Sequence, residues 1–255
     1  MRQTARVAGT FLLGAGVLML IWAVIVWRWQ DPLTALYATA QQHRLAASFD
    51  QRFATYRPIV RPKPTKPGTH PRTPVRARPV TTLASLRRER ALVRTEARRY
   101  RKSLHVGDAL GRIVVPRLGL KSIVVTGTDH DSLTKGPGWY TGTFLPGEGQ
   151  LVYIAGHRTT YLAPFAHIEQ LRPGDTVPLE LPYATIVYRV VSHVIVPAND
   201  VARLKSHGIE EVALQACHPR FFATHRYIVY ARPTQLIPRG GSPIFLDARG
   251  RVKLA

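Results

Sequence analysis

ALQACHPRFFATHRYIVYAR, residues 213–232, is the stretch on which the reading of this chain turns. Apolar runs at 212–217 and 227–231 flank a polar connection that contains Pro219, the pattern of two strands joined by a loop. Cys217, the chain's one cysteine, closes the first run, and Arg226 opens the second. Upstream, AGHRTTYLAPF at 155–165 sets His157 just beyond another apolar run, 151–155. Further runs at 112–115, 122–126, 176–181 and 186–196 are separated by Gly and Pro turns. Short strands at this spacing predict an all-β barrel or sandwich. PFAHIEQL, 164–171, adds a helical turn or two between strands.

Outside this block the composition changes. Residues 7–27, VAGTFLLGAGVLMLIWAVIVW, are uncharged and mostly apolar. As a helix they reach about 31 Å, enough to cross the hydrocarbon core of a bilayer. Trp22, Trp27 and Trp29 fall where an interfacial aromatic belt would lie. The run exceeds the usual length of a cleaved signal core, and Ala38-Thr39-Ala40 lies too far beyond it, so an uncleaved signal anchor is expected. Arg2 and Arg6 favour a cytoplasmic N-terminus, but Arg28 and Arg44 weaken that asymmetry. A helix follows, with Asp31 as cap, Pro32 as first residue and a broken stripe of Leu33, Leu36, Tyr37, Leu45 and Phe49.

Residues 57–80 hold seven prolines and seven basic residues, the composition of an extended spacer. Residues 82–103 are helical again, with Thr82 as cap and Leu86, Val93, Ala97 and Tyr100 beneath an arginine face. The chain thus divides into an anchor (1–30), a juxtamembrane helix (31–56), a Pro/Arg-rich linker (57–80), a basic helix (81–105), the β domain (106–237) and a polar C-terminal tail (238–255). The formal charge is +21, and residues 57–102 carry 15 Lys and Arg against Glu89 and Glu96. Such a stretch suits anionic lipid or an acidic wall polymer. No nucleic-acid recognition module accompanies it, so nucleic acid is not the expected partner.

A solitary cysteine in an exported chain is either a small buried apolar residue or a reactive thiol. Cys217, His157 and Arg226 are each unremarkable alone. Together they supply a nucleophile, a proton carrier for a leaving amine, and a fixed cation for a developing oxyanion. Arginine suits the last role because it stays charged and presents a rigid donor fork. Candidate metal ligands are scattered, so no metal or other cofactor is expected.

The segments GRIVVPRLGL (111–120), GPGWYTGTFLPGEG (136–149), AGHRTTYLAPF (155–165) and ALQACHPRFFATHRYIVYAR (213–232) resemble a sortase domain in content, order and spacing. The resemblance covers about half the chain, and the GHRTTY turn is most like class E sortases of actinobacteria. It implies an eight-stranded β-barrel with short helices on the outer face of a Gram-positive membrane, with the N-terminus cytoplasmic. His157, Cys217 and Arg226 take the family's catalytic positions. The implied substrates are surface proteins with an LPxTG-like or LAxTG-like C-terminal sorting signal, cut after Thr through a thioacyl enzyme. The implied acceptor is an amine of a peptidoglycan precursor or a pilin lysine. Sortases commonly carry Thr immediately before the cysteine, where this chain has Ala216, and Thr at the start of that segment, where it has Ala213. Ala216, Thr159 and Thr160 are the candidate substrate contacts. Other readings are an L,D-transpeptidase, whose S-H-G-C segment is absent before Cys217, and a degenerate wall-binding scaffold.

Overall fold

The computed structural model describes residues 2–29, 32–59, 82–247 and 249–254. The expected cap at Asp31 and the linker from residue 60 onward lie outside the described residues. Helix α1 (Arg2–Trp29) contains a 19-residue stretch, Arg6–Val24, long and apolar enough to cross a membrane, and none of it is buried against the protein. Helix α2 (Pro32–Thr55) and helix α3 (Leu83–Lys102) follow.

The β domain comprises β1 (Ala109–Val115), β2 (Leu120–Thr126), β3 (Gly138–Trp139), β4 (Leu151–Ala155), β5 (Thr176–Glu180), β6 (Ala184–Pro197), β7 (Glu211–His218), β8 (His225–Pro238), β9 (Ile244–Leu246) and β10 (Val252–Lys253). A short helix, α4 (His130–Leu133), precedes β3. The pairing β8-β6-β5-β1-β2-β3-β4-β7 returns to β8, closing an eight-stranded barrel. Closure removes the open edges along the length over which β7 and β8 pair. Inward residues such as Ile113, Val124, Ile154, Leu179, Ile186, Leu214 and Val229 are fully or almost fully buried and form one core. PFAHIEQL contributes a single 3₁₀ turn, Ile168–Gln170.

Two helices pack on this barrel. In α3 the Thr82 hydroxyl accepts from the Ser85 amide while the Ser85 side chain accepts from the Thr82 amide, a reciprocal cap. The buried stripe Leu86, Val93, Ala97 and Tyr100 joins the main core, and the Tyr100 hydroxyl donates to the Leu110 carbonyl. In α2 the expected stripe splits. Leu45 and Phe49 are buried with Ala109, Ile123 and Val125, whereas Leu33, Leu36 and Tyr37 stay exposed. Burial of Leu45 and Phe49 contributes about 1.5–3 kcal/mol each. Gln42 locks the register: its amide donates to the Ile123 and Lys135 carbonyls and accepts from the Ile123 amide and the Ser122 hydroxyl.

The segment after residue 237 is not simply a polar tail. β9 pairs with Gln235 and Leu236 of β8, and Ile244 and Leu246 enter the main core. Three apolar residues in a row between glycines and charges gave too short a run to mark a strand. Only the exposed margin of β8 beyond its pairing with β7 gives them a place to bury.

Candidate active site

Cys217 and Arg226 are directly opposed on the antiparallel β7–β8 ladder. Opposed residues have Cβ atoms about 4.5–5.5 Å apart, so the two side chains occupy one site. β4 runs parallel to β7, with Ala155 beside Gln215, and the Gly156 amide continues the ladder by donating to the Gln215 carbonyl at 2.9 Å. His157 is two residues beyond Ala155, as Cys217 is two beyond Gln215. The three side chains line one cleft of about 330 Å³ with Tyr140, Tyr153, Gln215 and Asp200. A larger groove of about 410 Å³ lies between α2 and β2, but none of the three residues lines it.

Cys217 is half-buried and unbridged. The His157 Nε2 atom is buried and, among the described residues, has no hydrogen-bond partner. Its ring lies 5.2 Å from that of Tyr161, which in turn meets His130 edge-on at 6.4 Å. Burial pushes the His157 imidazole below its ordinary pKa, and His130 adds to the effect. Arg226 is anchored through Nη1, which donates to the Ala223 carbonyl at 2.8 Å and the His225 carbonyl at 3.0 Å. A thiol, an imidazole with an unengaged nitrogen and a fixed guanidinium therefore converge on one space, the minimum that acyl transfer needs.

Arg158 supports this arrangement from behind, and nothing in the sequence singled it out. Its side chain is only 6% exposed. Nη1 donates to the Cys217 carbonyl at 3.1 Å and lies 3.0 Å from His218 Nδ1, while Nη2 pairs with Glu169 at 2.7 Å. The contact to Nδ1 requires a neutral His218 ring with its proton on Nε2. Burial and the nearby Arg158 cation both lower the His218 pKa, which agrees with that form. One residue in the GHR turn thus faces the cleft while the next ties the turn to the strand that carries the thiol. The only sequence signal was its position directly after His157 in the GHR turn.

The candidate substrate contacts need correction. Ala216 is fully buried in the barrel core, because alternation along β7 turns it away from the face shared by Gln215 and Cys217. Thr159 and Thr160 are half-buried in the loop after His157, and neither lines the cleft. The loop leaves that wall after His157, through a turn in which the Thr160 carbonyl accepts from the Ala163 amide.

Comparison with known proteins gives this geometry a family. Residues 113–234 match the sortase domain. Sortase D of Bacillus subtilis is 33% identical over 130 residues, 49% of this chain and 64% of the relative. Sortase SrtE1 of Streptomyces coelicolor is 31% identical over 101 residues, 35% of this chain and 28% of the relative. The chain therefore spans less than two thirds of the length of these curated relatives. The solved structure of a Sortase D5 transpeptidase from Clostridium perfringens has the same fold, with a TM-score of 0.56 at 18% identity, covering 76% of this chain and 98% of that one. The closed barrel, the matched residues and the cleft at the ends of β4, β7 and β8 agree: residues 113–234 of this chain are similar to the sortase domain in sequence and share its fold.

Proposed function

We propose that this chain is a membrane-anchored cysteine transpeptidase that cleaves an LPxTG-like or LAxTG-like sorting signal after its threonine and transfers the acyl group to an amine. The observation that carries the reading is the convergence of Cys217, His157 and Arg226 on one cleft. The Cys217 thiolate attacks the threonine carbonyl carbon, forming the S–C bond and an oxyanion that accepts hydrogen bonds from Arg226. Protonated His157 gives its proton to the departing glycine nitrogen as the C–N bond breaks, leaving a thioester. An acceptor amine then attacks that thioester, His157 takes its proton, and the thiolate is regenerated. α1 is the anchor in this reading, with the N-terminus cytoplasmic and the barrel outside.

The test is a transpeptidation assay on the full chain in detergent or nanodiscs. It offers LAxTG and LPxTG peptides, with oligoglycine and lysine-bearing peptides as acceptors. Mass spectrometry should find a thioacyl adduct on Cys217 and a joined product. The preferred acceptor separates transfer to a wall precursor from joining of pilin subunits. Failure of every peptide to acylate Cys217, or persistence of joining in Cys217→Ala, overturns the reading.

A further inference from the structure

The loop between Cys217 and Arg226 carries a feature that acyl transfer does not use. Phe221 is 54% exposed and Phe222 is 78% exposed. Phe221 and Ala223, on either side of Phe222, both sit in the left-handed region, at φ 73° and 53°. Bulky residues seldom adopt that conformation, and it persists only where surrounding contacts impose it. The contacts are present: the Phe222 and Ala223 amides donate to the Pro219 carbonyl, and Arg226 Nη1 holds the Ala223 carbonyl. The fold therefore holds two aromatic rings out in solvent at the mouth of the cleft.

Two further observations say what would cover them. The loop itself, residues 218–225, contains no Asp or Glu, and Arg220 stands next to Phe221. The loop after His157, at the same end of the barrel, is held to α2: the Tyr161 amide donates to the Thr34 hydroxyl at 3.0 Å. Thr34 lies five residues after Trp29, the last residue of α1, a span of at most about 18 Å even if fully extended. The apolar helix thus ends close to the cleft. Leu33, Leu36, Leu162 and Val201 add exposed apolar surface there.

We propose that the cleft rim is a membrane-contact surface, and that the 218–225 loop seats Phe221 and Phe222 in the headgroup region of an anionic bilayer. Each buried ring favours the bound state on the order of tenfold or more. Arginine near an anionic surface adds to it, in a salt-dependent way. Tethering by α1 makes the contact intramolecular, so weak intrinsic affinity suffices. A bilayer fits better than a protein partner because the loop that holds the two rings carries no acid and the tether ends beside the rim. The docked orientation turns the cleft toward peptides that emerge from the membrane. That consequence rests on the active-site reading above, whereas the contact itself does not.

The single cysteine makes the experiment direct. In full-length Cys217→Ala protein, Phe222→Cys is labelled with an environment-sensitive fluorophore and reconstituted in nanodiscs of phosphatidylglycerol or phosphatidylcholine. Ser242→Cys, in the exposed turn beyond the far end of β8, serves as control. The label at 222 should shift to the blue and be quenched by nitroxide lipids in phosphatidylglycerol, more weakly in phosphatidylcholine, and the label at 242 in neither. A label at 222 that stays as wet as the control, or that responds equally to both lipids, overturns the proposal. In the active protein, Phe221→Ser with Phe222→Ser should leave cleavage of a soluble sorting peptide within twofold. Cleavage of the same signal fused to a membrane-spanning peptide should fall about tenfold, roughly 1.4 kcal/mol. Equal loss on both substrates assigns the rings to the reaction instead and also overturns the proposal. Absence of soluble cleavage in the unaltered chain counts against the enzymatic reading and leaves the fluorescence result standing.

Discussion

β4 and β7 run side by side in parallel, and their two ends are finished in opposite ways. At the N-terminal ends lie two buried carboxylates. Glu210 accepts from the Gly147 amide at 2.8 Å, the Gly149 amide at 3.1 Å and the Tyr188 hydroxyl at 2.9 Å. Glu148 accepts from the Leu145 amide and faces Arg98 and Arg101 of α3. At the C-terminal ends lie Cys217 and His157, beside an open cleft, with the imidazole Nε2 unengaged among the described residues. The difference teaches how to separate structural from chemical polar groups. Burial pushes the Glu210 carboxyl up and the His157 imidazole down, so a shifted pKa alone does not distinguish them. Saturation of hydrogen bonds does. A fully paired group fixes a loop, whereas a group left with spare capacity in a cleft has something to offer a substrate.

Substitutions at the two ends should break this comparison or sharpen it. The largest effect is expected at the open end. Cys217→Ala should abolish acyl-enzyme formation, since the chain has no second thiol, while circular dichroism and the melting temperature stay near those of the parent. His157→Ala should keep the fold and slow acylation about 10²–10⁴-fold. Global unfolding of either variant would show that the two ends do not differ in kind.

Glu210→Ala, at the closed end, leaves three donors buried without an acceptor. Denaturant titration should show a loss of about 3–5 kcal/mol. The residual folded fraction should acylate at a near-normal rate. Arg158 joins the two categories, being buried and paired yet pressed against the Cys217 carbonyl. Arg158→Lys keeps the charge that pairs with Glu169 but loses the fork that spans two acceptors. Stability should recover relative to Arg158→Met more fully than kcat does, with KM little changed. Parallel recovery of stability and kcat would make Arg158 purely structural.

The smallest effect concerns pH. His130 lowers the His157 pKa, so His130→Gln should raise it back toward its ordinary value. The active form pairs a thiolate with an imidazolium, and the acidic limb of its bell-shaped profile follows the lower of the two pKa values. That limb should move to higher pH. A limb that does not move would show that His157 does not set it.

The sequence by itself determined those features that depend on neighbours along the chain. Short apolar runs at 151–155, 212–217 and 227–231, bounded by turn and polar residues, marked β4, β7 and the opening of β8. The stripe Leu86, Val93, Ala97 and Tyr100 marked the buried face of α3, and Thr82 its cap. The run at 7–27 marked the apolar helix. Cys217, His157 and Arg226 were unremarkable singly and stood out only in combination and through the motifs that resemble a sortase. Only the tertiary structure decided that β7 and β8 set Cys217 opposite Arg226, and that parallel pairing of β4 brings His157 to them. It also decided that Ala216 turns into the core, that Arg158 grips the Cys217 carbonyl, that three of the five α2 stripe residues stay exposed, and that Ile244 and Leu246 complete the core. Each of these depends on which remote surface a residue meets. Local periodicity gives the direction of a side chain relative to its own strand or helix. Closure of the barrel determines what occupies the space on that side.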